Sequence, residues 1–99
     1  MRVAFHPDAA DEFRVAVEYY EGALPGLGRR FYHAVRHATD LVAEYPEAGS
    51  PRGRTGARQL LVVGFPYDVV YWRRGEVAEV IALAHHRRRP NYWRDRGSV

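Results

Sequence analysis

The sequence predicts an α+β fold of order β-α-α-β-β-β. A helical hairpin packs on one face of an antiparallel sheet, and a short helical turn lies near the C-terminus. Three observations lead there. Apolar residues recur at three- and four-residue steps from Ala10 to Tyr45. The Gly/Pro-rich stretch "GALPGLG" splits that pattern in two. From Arg58 onward the pattern changes to runs of β-branched and aromatic residues. Helices gathered in one half of a chain and strands in the other favour separate layers around one core. The chain has 99 residues, enough for one domain with a real core.

"RVAF" (Arg2–Phe5) reads as a short first strand. Pro7 then suits the first turn of a helix, and Asp8, Asp11 and Glu12 suit its positive end. Ala10, Phe13, Val17, Tyr20 and Leu24 form the predicted stripe of this helix. A second helix begins near Pro25 or Leu27. Its stripe is Leu27, Phe31, Val35, Ala38, Val42 and Tyr45, and Pro46 ends it. Two helices with so short a connection form an antiparallel hairpin. "PEAGSPRGRTG" (Pro46–Gly56) reads as the most flexible internal loop.

"RQLLVV", "YDVVYW" and "EVAEVIALAH" follow as three strands of a meander, separated by "GFP" and "RRG". In the middle one, Tyr67, Val69 and Tyr71 share one face and Asp68, Val70 and Trp72 the other. Apolar residues on both faces imply that the helices cover one and something else partly covers the other. "PNYWRDR" reads as the helical turn, and Gly97–Val99 as a frayed tail.

Composition narrows the function. There are no cysteines, hence no disulfide, thiolate metal site or thiol nucleophile. No apolar run suits a signal peptide or a membrane span, so a cytoplasmic location away from membranes is expected. Residues 1–51 hold five arginines against eight acids, a net −3; residues 52–99 hold ten against four, a net +6. The basic half should attract nucleic acid or an acidic partner. All fifteen cations are arginine, whose planar fork grips phosphate and carboxylate.

The densest candidate stretch is "AHHRRRPNYW". His85 and His86 titrate near neutrality and are possible acid and base, although strand neighbours point to opposite faces. Arg87, Arg88, Arg89 and Arg94 with Tyr92 and Trp93 have the composition of an interface hot spot or a base-stacking surface. The same aromatics equally suit closing the core near a terminus. Arg58 opens a strand and is expected either as a site residue or as a structural partner of an acid such as Glu18. His33 and His37 have a chelating spacing but no evident third ligand, so no metal or other cofactor is expected.

"EYYE", "PGLGRRFYHAV", "EYPEAGSP", "ARQLLV", "FPYDVVYW" and "IALAHHRRRPNYWRDR" occur in an order that resembles the RelE/ParE superfamily of small toxins from type II toxin–antitoxin systems, also known as plasmid stabilisation proteins. The likeness runs from Val3 to about Arg96. It implies the fold above, a cognate antitoxin that wraps and blocks the toxin in a hetero-oligomer, and one of two targets. RelE-like members cut mRNA in the ribosome without a metal; ParE-like members inhibit DNA gyrase.

The RelE chemistry carries over poorly. Its second-strand lysines would fall near Gln59 and Leu61, and this chain has no lysine. Its middle-strand arginine would fall at Asp68, and its C-terminal tyrosine at Trp93, beside Tyr92. Arg87 meets the arginine after the last strand. In a nuclease, His85, His86, Arg87 and Tyr92 would carry the reaction. The resemblance therefore favours a ParE-like toxin that acts by binding. A ribosome-dependent endoribonuclease and an inactive antitoxin-binding module are the alternatives.

Overall fold

A computed structural model describes residues 1–96; the expected frayed tail, Gly97–Val99, lies outside the described residues. The elements are β1 (Arg2–Phe5), α1 (Pro7–Ala23), α2 (Leu27–Glu44), β2 (Ser50–Pro51), β3 (Arg58–Leu61), β4 (Tyr67–Arg74) and β5 (Val77–His85). The fold is α+β, with the helical hairpin on one face of a five-stranded sheet of order β1-β5-β4-β3-β2. No helix among the described residues is long and apolar enough to cross a membrane.

The sheet is mixed, not wholly antiparallel as the sequence predicts. β3, β4 and β5 form the predicted meander, but β1 runs parallel to β5. An isolated four-residue strand carries no periodicity that names its neighbour. β5 is the longest strand, and its free edge offers unpaired backbone groups for β1 to satisfy. The loop expected to be flexible is tied down. Ser50 and Pro51 pair with β3, Gly49 N donates to the Tyr71 hydroxyl, and that hydroxyl donates to Pro46 O. A Cβ at Gly49 would sit 2.9 Å from both Gln59 O and the Tyr71 ring, so this approach requires glycine.

Helix α1 starts where expected, with His6 Nδ1 accepting from Asp8 N as a cap. Its buried face is rotated slightly from the predicted stripe. Ala9 and Ala16 are buried, while Ala10 and Leu24 are exposed. Small residues line this face because the second helix and the sheet approach closely there. In α2 the predicted Phe31, Val35, Ala38 and Val42 are all buried, and Tyr45 is exposed. Helix α2 has no acid in its own first turn. Glu21 of α1 supplies one instead, accepting from Gly26 N and Gly28 N at 2.9–3.1 Å.

The main core lies between helices and sheet. Phe31 sits at its centre, with ring centroids 4.9–5.0 Å from Phe65, Tyr20 and Tyr67. The opposite face of the sheet carries a second, smaller cluster: Ala57, Val70, Ile81, Ala82 and Trp93. The predicted helical turn covers it in a different form. Residues 89–96 make successive i→i+3 turns rather than a helix, with Tyr92 N bonded to Arg89 O, Arg94 N to Asn91 O and Arg96 N to Trp93 O.

Candidate functional site

The site is built on the part of β5 that outruns its neighbour. β1 stops pairing at Phe5–Val80, and the chain turns into α1. At the same point β5 carries a bulge: Val70 faces Ala82 and Tyr71 faces Val80, leaving Ile81 unmatched. The bulge reverses the side-chain alternation. Val80 and Leu83 therefore both reach the helix side, while Ile81 and Ala82 face the other cluster. Beyond the bulge, the edge left bare by β1 needs partners.

Glu12 and Arg96 provide them. Leu83 N donates to Glu12 Oε1 at 3.0 Å, and Arg96 Nη1 donates to Ile81 O at 3.1 Å. The two side chains also bond each other through a bidentate pair at 2.8 and 2.9 Å. The Tyr92 hydroxyl completes the lock, donating to Glu12 Oε2 at 2.7 Å. Burial and then this bond to Glu12 push the Tyr92 phenol well above its ordinary range. The bond to Glu12 also raises the Arg96 guanidinium further. Arg88 and Arg96 lie over the Tyr92 ring, 3.8 and 4.9 Å from its centroid.

This lock fixes the tail across the helix-free face. Trp93 is pressed onto Val70, Ile81 and Ala82 and is 3% exposed. Asn91 takes a left-handed conformation (φ 60°), which asparagine tolerates, and its Oδ1 accepts from Arg52 Nε at 3.2 Å. Between tail and sheet lies an open cleft of about 400 Å³, walled by Arg52, Arg88 and Arg89 and floored by Gln59, Asp68 and Val70. On the other side of Trp93 is a second hollow of about 360 Å³, bordered by Arg54, Thr55, Trp72 and Arg94.

Of the other predicted site residues, His85 and His86 both border the cleft, whereas Arg87 and Arg58 do not. His85 packs edge-on against Tyr67, ring centroids 5.0 Å apart, and its Nδ1 accepts from Arg87 N. His86 reaches Asp68 on the other face, with Nε2 3.2 Å from Oδ1. The two imidazoles thus have separate partners. Arg87 is exposed and does not border the cleft. Arg58 does not pair with Glu18, which bonds Arg14 instead. It donates to Gly49 O at 2.7 Å and Glu47 O at 3.3 Å, because the tethered loop presents bare carbonyls beside it. His33 and His37 lie exposed on α2, and no metal-holding group of three or more His, Cys, Asp or Glu occurs among the described residues.

Sequence reasoning missed Glu12, Arg52, Arg54 and Asn91, and named Gln59 only as a position that lacks a RelE-like lysine. For Glu12 a signal existed: a carboxylate three residues after Ala9 and four before Ala16, on the buried face itself. The arginines of the loop gave none, since nothing local ties residue 52 to residue 91.

Chemically, the cleft suits an anion, with guanidinium groups on its walls and half-buried amides within. One carboxylate, Asp68, also borders it, bonded to His86. The Tyr92 phenol is held by Glu12 with its proton more tightly bound than usual, which makes it a poor proton donor.

The family model described as "ParE toxin of type II toxin-antitoxin system, parDE" matches residues 3–90. No curated protein sequence matches this chain. Among solved structures, one from the "Chromosomal ParDE TA system from P. aeruginosa" is similar in fold, with a TM-score of 0.75 and 15% identity over 86% of this chain and 95% of that one. The family match runs from the first strand past the last, and the chain accordingly belongs to the ParE toxin family of type II toxin–antitoxin systems, within the RelE/ParE superfamily.

Proposed function

We propose that this ParE-type toxin acts by docking on DNA gyrase rather than by cutting RNA, and that a cognate antitoxin neutralises it. The observation that carries the reading is Asp68, bonded to His86 inside the arginine-walled cleft. A carboxylate about 4 Å from a developing phosphorane charge opposes it by about 4 kcal/mol at an effective dielectric of about 20. RelE-like members place a cation there.

The antitoxin is an acidic, partly disordered chain that folds on binding. Its apolar residues lie along α1, where Val15 and Tyr19 stand exposed beside a shallow hollow reaching Tyr67 and Leu83.

The test sets the two targets side by side. Purified chain, free of antitoxin, is added to gyrase on relaxed plasmid and to ribosomes programmed with mRNA. Loss of supercoiling with intact mRNA is the expected result. Cleaved mRNA with gyrase running at full rate overturns the reading. Point substitutions serve better than removing the tail from Arg87 onward, because truncation also takes away Tyr92, Trp93 and Arg96 and so bares the second cluster and the β5 edge.

A further inference from the structure

The two edges of the sheet are finished differently. At one stands β2, two residues long and ending in Pro51, which blunts that edge. At the other stands β1, with neither proline nor bulge. His6 N donates to Val80 O across the ladder, and backbone groups alternate in direction along a strand. Those of Val3 and Phe5 therefore point away from β5, and no turn or loop among the described residues takes them up. Beside this edge lies a groove of about 350 Å³, lined by Val3, Phe5, Arg36, Thr39, Asp40 and Ala43. Helix α2 forms its far wall and runs antiparallel to β1. The Met1 amino group donates to Ala43 O near the end of α2. Phe5 meets Tyr32, near the start of α2, through the Phe13 ring stacked between them. The exposed flank of α2 is divided by charge: Arg29, His33 and Arg36 lie toward its start, Asp40 and Glu44 toward its end. Among the described residues, none of Arg29, Asp40 and Glu44 has an ion-pair partner in its own chain.

We infer that β1 and α2 form an interface with a second copy of this chain, related by a two-fold axis that passes beside Ala4. About that axis the outward groups of Val3 bond those of Phe5 in the second copy, Ala4 faces its own counterpart, and the two sheets join into one. Antiparallel β1 strands carry their α2 helices antiparallel as well. From Met1 to Ala4 the strand spans about 10 Å, equal to about seven residues of helix counted back from Ala43. The axis thus passes level with Arg36 and His37. The charges of α2 are disposed about that same level: Arg29 stands opposite Glu44 of the second copy, and His33 opposite Asp40. Opposite charges meeting across a self-complementary contact fix its register. An unrelated peptide strand would satisfy the bare edge but not the divided flank.

The inference stands apart from the reading above, because neither gyrase nor antitoxin enters its test. Full-length chain free of antitoxin is followed by sedimentation velocity over a range of concentration. Arg29→Glu and Glu44→Arg each set like charges opposite one another across the axis, and the double variant restores opposite ones. Both positions are exposed and lie about 22 Å apart along one helix, so the exchange acts between copies rather than within one. Because the chain has no cysteine, Ala4→Cys supplies a lone thiol. Directly opposed residues of a non-hydrogen-bonded antiparallel pair lie about 4.5 Å apart at Cα, within disulfide range. Oxidised glutathione should therefore link two copies. Ser50→Cys, exposed at the opposite edge of the sheet, is the control. Thermal unfolding checks that each variant is folded, and Arg29→Gln or Glu44→Gln replaces a charge reversal that is not.

The expected result is a monomer–dimer equilibrium whose dissociation constant rises about tenfold in each single variant and returns close to its original value in the double. The Ala4→Cys chain links as a dimer and the Ser50→Cys chain stays unlinked. A chain that sediments as a monomer throughout overturns the inference. So do single variants that dimerise as well as the parent, a double variant no better than the singles, or equal linking at positions 4 and 50.

Discussion

The two faces of the sheet are built on different terms. The helix side is closed by interlocked rings around Phe31, with no charge in the buried cluster. The other side has one large cover, Trp93, fastened by a polar lock centred on Glu12 and surrounded by arginines. The first arrangement is non-directional burial, and it resists loss of any single contact except at its centre. The second depends on a few directed bonds whose removal leaves partly buried charge unmatched. What the difference teaches is a division of labour: one face holds the molecule together, and the other holds a short tail in place.

Substitutions at the two centres test this most severely. Phe31→Ala should lower unfolding stability by about 4 kcal/mol, measured by denaturant titration. Trp93→Ala should cost about 3 kcal/mol and chiefly speed hydrogen exchange in residues 87–96, leaving α2 protected. If instead α2 and the tail lose protection together, the two faces form one cooperative core and the contrast fails.

Glu12→Gln comes next, with a loss of about 2 kcal/mol, because Arg96 loses its bidentate charged partner and keeps only Asp8, 3.7 Å away. The tail amides should again respond first. An unchanged exchange pattern would mean that packing by Trp93 alone fixes the tail.

Alkaline pH should act through the tyrosines. Burial raises Tyr92, Tyr67 and Tyr20 above their ordinary value of 10.0. The folded state therefore holds these protons more tightly than the unfolded chain. Their contribution is complete below about pH 10 and is lost as pH rises beyond it. Denaturation midpoints taken between about pH 9 and 11 should fall, and less steeply in Tyr92→Phe. The gentlest changes are on the rim. Arg87→Ala and Arg89→Ala should each alter stability by no more than about 0.5 kcal/mol. Growth-arrest assays should find Arg89→Ala the more damaging to toxicity, since Arg89 borders the cleft and Arg87 does not.

Much of this molecule is legible without coordinates. The periods of 3.6 and 2 place both helices and the three-stranded meander, since each period is a direct image of which side chains meet the core. The apolar residues on both faces of β4 foretell a second cover, and the ordered motifs mark the superfamily. The mixed sheet was not legible, because β1 and β5 are separated by most of the chain and neither encodes the other as neighbour. The site was legible only in part: the cluster of His85, His86 and the arginines stands out as composition, but composition does not say which side chain meets which. Periodicity reports a residue's own environment, and so the sequence by itself determined the elements and their buried faces. That Glu12 would grasp Arg96 eighty-four positions away, and that Arg52 would meet Asn91, was decided only when the strands paired, because contacts between distant segments depend on register and on the bulge at Ile81.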